Sequence, residues 1–269
     1  MFFWQSYLPQ PILFSVGPFS VHWYGLILVV AILVGGLFIQ RNLLKNSIIT
    51  KKQVEDLFFY LVIFGLISAR LGHVIFFNLN YYLHHLADVL KVWQGGLSIQ
   101  GAILGGLITL FFWSKKHQVN IWCLADKLTP ALLLGQIIGR WGNYFNQELF
   151  GQPTDSWIGI PISLANRPIG FGQFSYFQPV FFYEGLLNLI LFIILIWLGK
   201  KDKLKTGLIT LLYLTSYSLI RFLMEFIRID ETPVILGWRL PQLLSLIIVV
   251  VGLLLLFSLY LKPLSKLKK

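Results

Sequence analysis

Seven apolar runs decide what this chain can fold into. They lie at residues 21–39, 57–77, 97–113, 124–139, 180–198, 207–220 and 240–261. Most are long enough to cross a hydrocarbon core about 30 Å thick as an α-helix. The fourth and sixth are shorter, and each is closed by an arginine, Arg140 and Arg221. Composition excludes an ordinary soluble domain, since 57% of the 269 residues are hydrophobic and only 12% are charged. The expected fold is all-α: a polytopic membrane protein of about seven transmembrane helices. Residues 1–269 form a single transmembrane domain in this reading, with 141–179 as a loop or small head region on one face.

Orientation follows from the basic residues. Fifteen of the 22 Lys and Arg follow the first, third, fifth and seventh runs, among them Arg41, Lys51, Lys115, Lys200, Lys203, Lys262, Lys266, Lys268 and Lys269. The opposite loops hold only Lys91, Arg167, Arg228 and Arg239. The positive-inside rule then puts the N-terminus outside and the C-terminus in the cytoplasm. The same topology accounts for most of the net charge of +11, which leaves nucleic acid without support as a partner. No Lys or Arg precedes the first run, so residues 21–39 read as a retained anchor rather than a cleaved signal. Cys123 is the sole cysteine and His84 and His85 are adjacent, so neither a disulfide nor a metal site is indicated.

Polarity concentrates at residues 139–151, GRWGNYFNQELFG. Arg140, Asn143, Asn146 and Glu148 stand there at a membrane edge, where each needs an internal partner or a polar ligand. The sixth run ends in YSLIRFLMEFIR; as a helix it puts Arg221, Glu225 and Arg228 on one face. In the second run Arg70 lies seven residues before the outer end at Phe77, hence roughly 10 Å deep. Arg70, Arg140 and Arg221 all fall toward the outer leaflet. Guanidinium binds phosphate bidentately, so three at one depth point to a lipid headgroup. Three separate arginines, each paired with a carboxylate or carbonyl, are the alternative. The glycines of GGLSIQGAILGG, at 95–106, fit close helix packing as well as a lipid-binding gap. Glu184 fits a helix dipole as well as a site, and Tyr24 fits an interfacial aromatic belt as well as a site.

GRWGNYFNQELFG and GGLSIQGAILGG, with HWYG at 22–25, ARLGH at 69–73, QPVFFYE at 178–184 and RFLMEFIR at 221–228, resemble the bacterial prolipoprotein diacylglyceryl transferases. The resemblance spans nearly the whole chain. It implies a multi-pass enzyme of the bacterial plasma (inner) membrane with its active site toward the outer leaflet. Such an enzyme moves diacylglycerol from phosphatidylglycerol to the lipobox cysteine thiol of a preprolipoprotein and releases glycerol phosphate, with no cofactor or metal. The family's signature residues fall on Arg140, Asn143, Glu148 and Gly151, its conserved tyrosine on Tyr24, and its sixth-helix residues on Tyr217, Arg221 and Glu225. Asn146, Arg70 and Gln100 join them as substrate-binding candidates. Gln100 and Gln178 stand where many members carry histidine, and a glutamine is no base near neutral pH.

In the reaction so implied, the substrate sulfur attacks glycerol C3, and the departing phosphate is stabilised by Arg140 and Arg221. Asn143 and Tyr24 position the headgroup, and Glu148 is the candidate base. A transporter or binder of an anionic lipid or organic anion is the rival reading. It lacks support from an internal repeat, and the polar residues gather toward one face.

Overall fold

A computed structural model describes residues 3–17, 19–45, 49–201 and 204–261. Lys203, Lys262, Lys266, Lys268 and Lys269, which enter the charge pattern, lie outside the described residues. The chain runs α1 (Phe3–Ser6), β1 (Ile12–Val16), β2 (Phe19–His22), α2 (Trp23–Lys45), α3 (Lys51–Phe77), α4 (Leu79–His84), α5 (Ile99–Lys116) and α6 (Ile121–Phe145). It continues through β3 (Ile160–Pro161), β4 (Tyr176–Phe177), α7 (Val180–Gly199), α8 (Leu208–Met224), β5 (Val234–Ile235), β6 (Trp238–Arg239) and α9 (Leu240–Leu261).

Each apolar run falls on one helix. Five of those helices, α2, α3, α6, α7 and α9, are long and apolar enough to cross a membrane, which makes the chain a mostly helical, polytopic membrane protein. The other two fall short for visible reasons. The 18 residues of α5 end in Ser114, Lys115 and Lys116, and the 17 of α8 carry hydroxyls and Arg221. Apolar side chains such as Leu33, Phe112 and Leu254 point outward, as lipid-facing residues do.

Two compact units divide the chain. The first comprises residues 1–37 and 128–269. Within it α7 packs on α8 and α8 on α9. One core cluster, Leu133, Leu191, Leu195, Ile209 and Tyr213, joins α6, α7 and α8. A second, Tyr144, Phe150, Ile160, Ile162, Phe177 and Phe181, fills the head region around the β3–β4 pair. The sequence places Arg140 at the close of its helix, but α6 continues to Phe145, so residues 141–145 of the expected loop are helical. The reason is aromatic packing: Trp141 meets Phe181 and Phe182 edge-on, and Tyr144 meets Phe181. At the far end α8 stops at Met224, so Glu225 caps it and Arg228 lies in the following turn.

The second unit, residues 38–127, is built on α3 against α5. Thr50 starts α3 with a capping box to Gln53, and Ser98 caps α5 by accepting from the Gly101 N–H. Here the glycines serve close packing. A methyl group on Gly101 would collide with the Ser68 carbonyl oxygen, and one on Gly105 with Ser68 Oγ.

Candidate active site

The first unit gathers charge where α6, α7 and α8 meet the head region. Arg140 of α6 pairs with Glu184, which is fully buried one turn into α7, and donates to Tyr217 of α8 at 3.4 Å. Arg221 of α8 reaches Glu225 Oε2 at 2.9 Å, within electrostatic range of Arg140, Glu184 and Arg228. Arg228 makes a bidentate pair with Asp230, both contacts at 2.6 Å, and touches Glu225 at 3.8 Å. Arg239, from β6, approaches Glu225 Oε1 at 3.0 Å.

Two features of this network bear on ligands. Among the described residues four guanidinium groups meet three carboxylates in these ion pairs, an excess of one positive charge before Glu148 is counted. Several buried polar atoms also lack a hydrogen-bond partner among the described residues: Arg221 Nη1, Glu184 Oε2 and both side-chain polar atoms of Asn188. Buried donors without acceptors are costly, by about 1–3 kcal/mol each and more for charged groups.

At Asp230, beyond the end of α8, burial and ion pairing pull in opposite directions. Burial raises its carboxyl pKa, but the hydrogen bonds and charge of Arg228, with Arg239 behind, outweigh burial and hold it below its ordinary value.

The loop after α6 is held in a strained form. Gln147 and Leu149 adopt positive φ, 53° and 58°, on either side of Glu148. Buried Gln147 hooks the loop in place: its Nε2 donates to the Pro9 carbonyl at 2.7 Å, and its Oε1 accepts from the Ser163 N–H at 2.6 Å. Glu148 is thereby presented at the surface, where Oε1 accepts from Asn143 at 3.2 Å and Asn146 at 3.0 Å. Tyr24, at the start of α2, is close enough to Glu148 and Arg140 to feel both charges. Its ring lies on Gly142, where a methyl would come within 2.6 Å of Cδ2. Gly151 bridges to Arg228, with Ile227 and Val180 each 2.8 Å from the position of an added methyl. Its N–H donates to the Gln178 carbonyl at 2.8 Å.

The structure thus brings together Tyr24, Arg140, Asn143, Asn146, Glu148, Gly151, Tyr217, Arg221 and Glu225 in one unit. Arg70 and Gln100 belong to the other. There Arg70, 6% exposed, spends its donors on backbone carbonyls of Asp88, Val89, Gly95 and Gly96 at 2.6–3.0 Å. Gln100 Oε1 accepts from Ser98 Oγ at 2.8 Å. Sequence reasoning missed Asn188 and Gln147, and read Arg239 only as a loop charge. Asn188 carried a signal, a lone carboxamide deep in an apolar run four residues after Glu184.

Fold and site together define a class: a helical membrane protein that buries arginines beside carboxylates at its helix ends, suited to an anionic, lipid-borne substrate. Residues 11–258 match the family model described as prolipoprotein diacylglyceryl transferase. The chain is 40% identical over 258 residues to a phosphatidylglycerol–prolipoprotein diacylglyceryl transferase of Synechocystis sp., covering 94% of this chain and 90% of that protein. It is 42% identical over 255 residues to the protein of that name from Acaryochloris marina, covering 94% and 92%. For that of Synechococcus elongatus the identity is 40%, over 91% and 86% of the two chains. The chain belongs to the prolipoprotein diacylglyceryl transferase family.

Proposed function

We propose that this protein transfers the diacylglyceryl group of phosphatidylglycerol to the lipobox cysteine of a preprolipoprotein, forming a thioether and releasing glycerol phosphate. The observation that carries the site assignment is Arg221 Nη1, buried without a hydrogen-bond partner among the described residues, in a set of ion pairs where four guanidinium groups meet three carboxylates. Arg221 and Arg140 hold the phosphate. In the transition state the C3–O bond breaks and negative charge grows on that phosphate, so interactions with it strengthen as the reaction proceeds. The sulfur displaces the phosphate from C3, and its proton passes to Glu148, which is exposed and oriented by Asn143 and Asn146. The cationic surroundings also favour the thiolate, which lightens the demand on a base where Gln100 and Gln178 stand. Tyr24 and Tyr217 orient the headgroup, and Gly151 keeps the loop and the Arg228 segment together.

In this reading residues 1–269 act as one catalytic domain with seven spans, N-terminus outside and C-terminus cytoplasmic, and the site faces the outer leaflet of the bacterial plasma membrane. The residues past α6, 146–179, form the outer head. Arg70 spends its donors on backbone carbonyls and so fixes its own loop, residues 88–96, rather than a headgroup.

Mass spectrometry of a lipobox peptide incubated with phosphatidylglycerol and the detergent-purified protein tests the reading. The expected product is heavier by one diacylglyceryl group on its cysteine, with glycerol phosphate released. An unmodified peptide beside tightly bound phosphatidylglycerol would point to a lipid binder or carrier instead.

A further inference from the structure

We infer that Arg239 is a positioning residue that keeps Arg221 available to the lipid phosphate by competing with it for Glu225. The inference rests on the reading of Arg221 as a phosphate ligand. Glu225 is 1% exposed and has a single negative charge to share. Arg221 approaches one of its oxygens at 2.9 Å, Arg239 the other at 3.0 Å, and Arg228 stands at 3.8 Å. Neither oxygen receives a well-directed hydrogen bond, so these are shared charge contacts rather than one locked pair.

Arg239 is itself fixed from several sides. Its backbone N–H donates to Gln242 Oε1 at 3.2 Å, its Nε to Thr232 Oγ1 at 2.8 Å, its Nη1 to the Arg228 carbonyl at 2.6 Å, and its Nη2 to the Asp230 carbonyl. A guanidinium held this way draws Glu225 Oε1 away from α8. Without it, Glu225 is free to turn both oxygens onto Arg221 in the bidentate geometry that arginine and carboxylate prefer. Arg221 would then have to break a buried pair before meeting a phosphate. Competition of that kind lowers the fraction of enzyme ready to bind, and so weakens apparent affinity without slowing the chemical step.

The test measures kcat and KM for phosphatidylglycerol in mixed micelles, with thermal melting of each variant, for R239Q, R239K and R221Q. R239Q is expected to raise KM about tenfold and leave kcat within about threefold, whereas R239K, whose ammonium still draws Glu225, stays within about threefold of wild type in both. Equal losses in R239Q and R239K with a lowered melting temperature would overturn the inference and leave Arg239 as a staple for residues 225–232. An unchanged KM in R239Q, with KM raised in R221Q, would overturn the competition alone. Unchanged kcat and KM in R221Q would remove the phosphate reading on which it rests.

Discussion

Arg70 and Arg221 look alike in the sequence, each an arginine within or closing an apolar run, yet their surroundings differ in kind. Arg70 is met by neutral backbone carbonyls from residues 88–96, which occupy its donors and tie a loop to α3. Arg221 is met by a carboxylate that two other arginines also claim, and one of its terminal nitrogens has no hydrogen-bond partner among the described residues. A carbonyl cage stabilises one conformation and offers nothing in exchange. A shared carboxylate can give way to another anion. Depth in the membrane therefore does not separate a framework arginine from a site arginine; what surrounds it does.

Alanine substitutions should break the comparison most sharply. Arg221→Ala is expected to cut transfer about 10²–10³-fold while the protein stays folded, the scale seen when one preorganised charge stabiliser is lost. Arg70→Ala should instead lower the melting temperature, because five carbonyl contacts lose their donor, and the activity per folded molecule should change much less. Turnover normalised to folded protein, with melting curves in detergent, reads both. A large catalytic loss at unchanged stability in Arg70→Ala would erase the distinction.

Neighbouring glycines in α5 sharpen the same division. A methyl on Gly105 meets Ser68 Oγ and the Phe64 carbonyl, whereas one on Gly106 meets nothing within 4 Å. Gly105→Ala should destabilise the chain by about 1–3 kcal/mol through overpacking and Gly106→Ala should be neutral. In the first unit Gly142→Ala presses on the ring of Tyr24, not on backbone. Its effect should therefore appear as a several-fold activity loss, of order ~1 kcal/mol, with little change in melting.

How much of this was legible in the sequence depended on how far each partner lay along the chain. The helices were legible because apolar length is a local property, and α2 to α9 carry all seven runs. Arg140 and Arg221 were legible because a guanidinium in an apolar helix must be answered somewhere. The answers themselves were not. Glu184 stands 44 residues from Arg140, and Arg239 reaches Glu225 only because residues 233–239 fold back as a β5–β6 hairpin. The expectation that Arg221, Glu225 and Arg228 share a face survives in their ion pairs, although α8 ends before two of the three. Arg70 looked like a third phosphate ligand because its loop of partners, being glycine-rich and irregular, left no periodic trace.

The smallest expected effect compares two acids, one from each unit. Asp88 is hydrogen-bonded by Lys91 and by Tyr81, and these contacts hold its pKa low, but its ionic partner is a single lysine whose side chain is more than a third exposed, so solvent screens much of what the pair contributes. Asp230 is half-buried, and its pKa stays low against the pull of burial because Arg228 grips both oxygens. A carboxyl whose folded pKa is depressed binds protons more readily when the chain is unfolded. Its stabilisation is therefore complete above its ordinary value of 3.8 and lost as pH falls through the lower, folded value. Melting followed from neutral pH downward should show a decline below about pH 4 that Asp230→Asn flattens and Asp88→Asn leaves in place. If Asp88→Asn removed the decline and Asp230→Asn did not, the ion-pair network around Glu225 would be a weaker structure than its geometry implies, and Arg228 would be free to turn toward the phosphate itself.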